Sequence, residues 1–184
     1  MKLLGLTLCL LVGFASSAKA GIFVEPYAGY GLGSYDDGAG EKGKVSAVSL
    51  GARIGGEMNM LFIGADVSKQ MSGKIKADNA GGTDEKFTGT QLYGVVGANL
   101  PILRLWAGYG LLNEIKMDSV LGDVTVDGGS HIKLGVGFKI IPMVSLNVEY
   151  LIEKYKKIEV AGISQNTDFK SNTLLLSASV PLSF

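Results

Sequence analysis

The stretch Asn172-Thr-Leu-Leu-Leu-Ser-Ala-Ser-Val-Pro-Leu-Ser-Phe184 decides the fold. Every second residue back from the end is apolar: Phe184, Leu182, Val180, Ala178, Leu176 and Leu174. The other register reads Ser183, Pro181, Ser179, Ser177, Leu175 and Thr173, small and mostly polar. Side chains alternate sides along a strand, so this stretch is a two-faced β-strand ending on an aromatic. A half-buried strand of a soluble sheet would alternate as well, but the aromatic end favours the closing strand of a membrane barrel, its apolar side toward lipid.

The same residues resemble the terminal strand of bacterial outer-membrane barrels, of the form polar-x-Gly-x-x-apolar-x-aromatic. Ser177, Ser179, Leu182 and Phe184 occupy the matching positions, with Ser179 in place of the glycine. The resemblance implies recognition by the barrel-assembly machinery during insertion.

The N-terminus supplies the export signal that such a fate requires. Met1-Lys2, an apolar run from Leu3 to Ala15, and small residues at Ala18 and Ala20 describe a secretory signal peptide over residues 1–20, cleaved after Ala20. The run is too short for a transmembrane helix of about 20 residues. The mature domain is then 21–184, and cleavage removes Cys9, the sole cysteine. No disulfide holds that domain, so backbone pairing and burial must. With 17 basic and 17 acidic residues, the chain carries no field that points to nucleic acid. The 27 glycines lie within alternating segments rather than in linkers, which argues for one ordered domain.

Alternation recurs along the chain. Ile22–Gly33 sets Ile22, Val24, Ala28, Tyr30 and Leu32 against Phe23, Glu25 and Tyr27. Val45–Gly56 sets Val48, Leu50, Ala52 and Ile54 against Ser49, Gly51 and Arg53. The third segment places Leu61, Ile63, Ala65 and Val67 opposite Phe62, Gly64, Asp66 and Ser68. Phe87–Leu100 is less regular, with Thr90, Leu92, Gly94, Val96 and Ala98 on its outward side. The fifth sets Leu103, Leu105, Ala107, Tyr109 and Leu111 against Arg104, Trp106, Gly108, Gly110, Leu112 and Glu114. The sixth sets Ile132, Leu134, Val136 and Phe138 against His131, Lys133 and Lys139; the seventh sets Val144, Leu146, Val148, Tyr150 and Ile152 against Ser145, Asn147, Glu149 and Glu153. Tight turns at Glu57–Asn59, Asn99–Pro101 and Ile140–Pro142 alternate with polar loops at Ser34–Lys44, Gln70–Lys86, Asp118–Asp123 and Lys154–Phe169. The expectation is an all-β, eight-stranded antiparallel up-and-down transmembrane β-barrel with short turns at one end and long loops at the other.

The inverted alternative is a lipocalin-like soluble barrel with the aliphatic face inside. The charged strand residues Glu25, Arg53, Asp66, Arg104, Lys133, Lys139, Glu149 and Glu153 all share the opposite face, in both signs. A filled eight-stranded lumen suits them, with the glycines leaving room; a ligand cavity of apolar character does not. Counting up from the turns predicts two lumenal ion pairs, Arg53 with Asp66 and Lys133 with Glu149. Tyr30, Tyr109 and Tyr150 share the outward register, about 18–20 Å above their strand starts and close to the top of a ~25 Å apolar band. With Phe138 and Phe184 at the lower edge they read as an aromatic girdle.

Over Gly21–Phe184 the chain resembles the small outer-membrane barrels of the OmpA transmembrane-domain, OmpX and opacity-protein type. That resemblance implies a monomer in contact with outer-membrane lipid and lipopolysaccharide, with roles in envelope integrity, adhesion or host contact. An ion or small-solute channel and a lipid A-modifying enzyme are the alternatives. Ser130-His131-Ile-Lys133 does not match the His-x-Ser of deacylase barrels, and the larger protease barrels need more strands. Gly29-Tyr-Gly-Leu-Gly33 lacks the following helix that a phosphate cradle requires. Asp78–Glu85 lacks the alternating oxygen ligands of a calcium loop. The sequence therefore offers no catalytic, cofactor or metal site. Lys44, Lys69, Lys154, Lys156 and Lys157 near the outer rim are placed to meet lipopolysaccharide phosphates as point charges. No loop names a surface ligand.

Overall fold

A computed structural model describes residues 20–78, 85–119, 122–141, 143–160 and 162–184. Its strands are β1 (Ala20–Asp36), β2 (Lys42–Met58), β3 (Leu61–Ala77), β4 (Glu85–Asn99), β5 (Leu103–Ser119), β6 (Gly122–Asp127), β7 (Ser130–Ile141), β8 (Val144–Val160), β9 (Ile163–Ser179) and β10 (Leu182–Ser183). Every pairing is antiparallel, and β9 closes the ring by pairing both β8 and β1. The ten strands of the described residues make eight staves. β6 and β7 form one, broken at Gly128 and Gly129, whose φ angles of 67° and 103° only glycine adopts freely. A Cβ at Gly129 would collide with the carbonyl oxygen of Lys154. β9 and β10 form another in unbroken register: Ser179 faces Tyr27 and Leu182 faces Val24. The interruption falls at Pro181 on one stave and Pro26 on the next, neither of which has an N–H to donate. Phe184 itself is paired, exchanging backbone bonds with Ile22 at 2.9 and 3.1 Å.

The apolar register faces out. Ile22, Leu50, Ile63, Val96, Leu105, Leu134, Leu146 and Leu176 are exposed, while Glu25, Arg53, Asp66, Lys133 and Glu149 are fully enclosed. That is the reverse of a soluble barrel, and it excludes the lipocalin arrangement. Tyr30, Tyr109, Tyr150, Phe138 and Phe184 all point outward.

Two expectations need correction. The fifth segment does not keep its faces to the end: a bulge opposite Leu92 and Tyr93 skips Leu111, so Leu112 turns outward and Asn113 and Ile115 turn in. One inserted residue flips every later side chain. The long loops are also mostly strand. β1, β2, β3, β8 and β9 each hold 17 residues, which at ~3.3 Å per residue and about 40° tilt rises roughly 43 Å, against a ~25 Å apolar band. The hairpins continue well beyond the bilayer. Of the segment read as a solvated loop, Asp78–Glu85, residues 79–84 lie outside the described residues, as do residues 1–19 of the signal segment and Pro142 of the third turn.

Candidate functional site: the barrel interior

The lower interior is an ionic network built by register. Glu25 on β1 faces Arg53 on β2, which faces Asp66 on β3, and all three side chains turn inward at one level. Arg53 Nε lies 3.1 Å from Asp66 Oδ2, and its Nη1 lies 3.0 Å from Glu25 Oε2. Its Nη2 reaches across the lumen to Glu149 Oε1 on β8. Lys133 Nζ sits 3.0 Å from Asp66 and 3.6 Å from Glu149. The four residues of the two expected pairs thus form one cluster. Sequence counting places neighbours on adjacent strands, but contacts across the lumen depend on how the barrel closes.

The network also takes in groups that spacing alone does not single out. Arg104 Nη1 approaches Glu25 to 2.6 Å, Ser179 Oγ donates to Glu25 at 2.6 Å, and Tyr27 Oη donates to Asp66 at 2.7 Å. Cations rest on rings: Arg53 lies 4.0 Å from the Trp106 ring centre and Lys133 4.3 Å from that of Tyr93. The inward glycines make room chiefly for those rings rather than for charged chains. A Cβ at Gly135 would overlap the Trp106 indole, and one at Gly51 would meet the Tyr27 ring at 2.5 Å. At the turn end, Glu57 accepts from Asn99 at 2.7 Å and from Ser183 at 3.3 Å, while Lys139 donates to the Leu100 carbonyl at 3.2 Å.

Above this plug the interior changes character. Tyr35, Val45, Ala47, Ile75, Phe87, Ile115, Val124, Val126 and Tyr155 form a buried apolar cluster, with Met117, Ile158 and Phe169 packed on it. Tyr35 and Phe169 stack at 5.6 Å. Much of this lining comes from stretches that composition marks as loops, so the apolar chamber is absent from the sequence reading. Between plug and chamber lies Glu153, whose Oε1 accepts from Gln91 Nε2 at 2.7 Å, Tyr155 Oη at 3.2 Å and Tyr93 Oη at 3.3 Å. His131 sits beside it, its Nε2 3.2 Å from the Gly128 carbonyl and its ring 4.7 Å from that of Tyr155.

The outer rim is ordered by local charge contacts. Asp36 accepts from the Gly38 N–H at 3.0 Å and pairs with Lys42 at 3.3 Å, which holds its carboxyl below the usual range. Asp168 bonds Lys170 at 2.6 Å and raises its ammonium pKa. Burial, then the charge of Glu41, pushes the Tyr35 phenol up to about 12.

A closed antiparallel barrel with an apolar exterior and an ionic interior defines a transmembrane barrel of the bacterial outer membrane. A model of the outer membrane protein beta-barrel domain matches residues 6–180, and the chain belongs to that family. Neisserial surface protein A is 20% identical with a TM-score of 0.54, over 86% of this chain and 96% of that one. Ail, the attachment invasion locus protein of Yersinia pestis, is 15% identical with a TM-score of 0.57, over 88% and 99%. At these identities the likeness shows the fold. No curated protein matches.

Proposed function

We propose that this is a non-conducting, non-enzymatic outer-membrane barrel with a structural and surface role, presenting its outer hairpins to the environment. The observation that carries the reading is the plug: Arg53 and Lys133 span the lumen at one level, tied to Glu25, Asp66 and Glu149 with no exposed side-chain surface. Buried charges held by several partners do not part to admit a steady ion stream. His131, held between a backbone carbonyl and a tyrosine ring, serves the packing of the wall rather than hydrolysis. Reconstituted in planar bilayers, the protein should show no sustained conductance. A steady ohmic step of reproducible size would overturn the plugged reading in favour of a channel.

The remaining roles follow from position. Residues 1–20 act as a signal peptide cleaved after Ala20, and Ser177, Leu182 and Phe184 present the closing strand to the assembly machinery. Tyr30, Tyr109 and Tyr150 above, with Phe138 and Phe184 below, anchor the monomer at the two interfaces. Lys44 faces Lys76 across adjacent strands; like charges held opposite one another suit a polyanionic neighbour such as lipopolysaccharide phosphate. One similar structure is of Ail with a heparin analogue bound, which supports looking for an acidic surface ligand of the hairpins.

A further inference from the structure

We propose that the outer chamber is a binding site for a small primary amine with an apolar body, its ammonium seated on Glu153. Among the described residues the enclosed cations are Arg53, Arg104 and Lys133, and each has a carboxylate within reach. Glu153 is enclosed too, yet it has no ion-pair partner among the described residues: Lys133, whose charge it feels, is bound to Asp66 and Glu149 instead. A buried carboxylate without a directly paired counter-charge is costly. Its protein partners are nevertheless arranged for the ionised form. Gln91 is turned by Ser68, which donates to its carbonyl at 3.2 Å, so that its amide donates to Glu153. Asn113 donates to Tyr93 Oη at 3.0 Å, leaving that hydroxyl to donate onward. All three donors converge on Oε1, and among the described residues none reaches Oε2.

Glu153 lines a cavity of about 20 Å³, room for one water-sized group. An ammonium has that size and brings three donors. Neutral oxygen-bearing side chains share the lining, from Ser49, Gln70, Ser171 and Thr173, and no lysine or arginine does. Directly outward lies a second cavity of about 240 Å³ walled by Tyr35, Ile75, Met117, Ile158 and Phe169, with Glu41 and Glu85 at its edge. Ile75 and Phe169 line both cavities, so the two adjoin across these side chains; in the proposed complex one molecule spans them, head on Glu153, body between the rings, acidic residues at the entrance. Below Glu153 the plug closes the way, which makes this a blind binding site. Its failure is distinct from failure of the plugged reading, which bilayer conductance reports.

The test uses the whole barrel in lipid nanodiscs, titrated with 2-phenylethylamine and with its neutral counterpart 2-phenylethanol, against empty discs. The amine should saturate one site per barrel and bind about tenfold or more tighter than the alcohol, a difference of ~1.4 kcal/mol. Glu153→Gln, checked for heat-modifiable migration, should erase that preference. Thr173→Val, which keeps shape and removes a hydroxyl acceptor, should weaken the amine, with its three donors, more than the alcohol, with its one. Equal binding of the two probes, no saturation above empty discs, or an undiminished preference in Glu153→Gln would each overturn the proposal. If Glu153→Gln fails to fold, the amine-to-alcohol ratio of the unaltered protein and of Thr173→Val still decides.

Discussion

Replacing Arg53 with alanine should lower the unfolding free energy of the barrel by roughly 3–5 kcal/mol, because removing one partner strands the other charges. Here the stranded set is Glu25, Asp66 and Glu149, gathered on one guanidinium and sealed from solvent. Lys133 remains beside Asp66 and Glu149, and Arg104 beside Glu25, so the loss should stop short of abolishing insertion. Cation–π support from the Trp106 ring at 4.0 Å disappears as well. Urea titration of the folded band on a cold gel, in the same lipid for both proteins, gives the difference directly. Arg53→Lys should recover only part of it, since a single ammonium cannot reproduce a fork that meets three carboxylates at once. An unchanged midpoint for Arg53→Ala would contradict the network.

Leu105→Arg should cost about 2–4 kcal/mol, the penalty for an arginine near the centre of the lipid-facing band. Leu105 lies between Leu103 and Tyr109 on the outward register of β5, among Ala98 and Val136 of the flanking strands. Its sequence neighbours Arg104 and Trp106 point inward, so arginine one position earlier pairs with the Glu25 carboxylate while arginine here meets hydrocarbon. The same urea titration reads the effect. A neutral outcome would place this face in contact with protein or water rather than acyl chains.

The alternation at Leu174, Leu176 and Ala178, and at Leu103 and Leu105, carries the fold because period-two patterning reports which side each residue takes without reference to any partner. It also delivers the contents of the lumen, since Glu25, Arg53, Asp66, Lys133 and Glu149 fall on one face. Their joint geometry is less accessible. Arg53 and Glu149 are joined only when β9 meets β1, and no local count of heights includes that closure. Alternation alone puts Leu112 and Glu114 inside, because it cannot register an extra residue at Leu111. The apolar chamber escaped for a different reason: Tyr35, Ile75, Tyr155 and Phe169 stand among lysines, aspartates and glycines, whose abundance reads as loop. There the outward side chains face water, so strand and loop share one composition. An apolar residue at every second position, as in Val45 and Ala47 or Val124 and Val126, is the signal that extends the staves.

Fluorescence quenching by brominated phospholipid tests most directly whether the apolar register meets lipid. The native protein carries one tryptophan, Trp106, inside the lumen beneath Arg53. In brominated bilayers it should keep most of its emission, while Leu105→Trp, one position away, should add a second tryptophan that bromine quenches strongly. Strong quenching of Trp106 with an unquenched tryptophan at position 105 would contradict the orientation and everything derived from it.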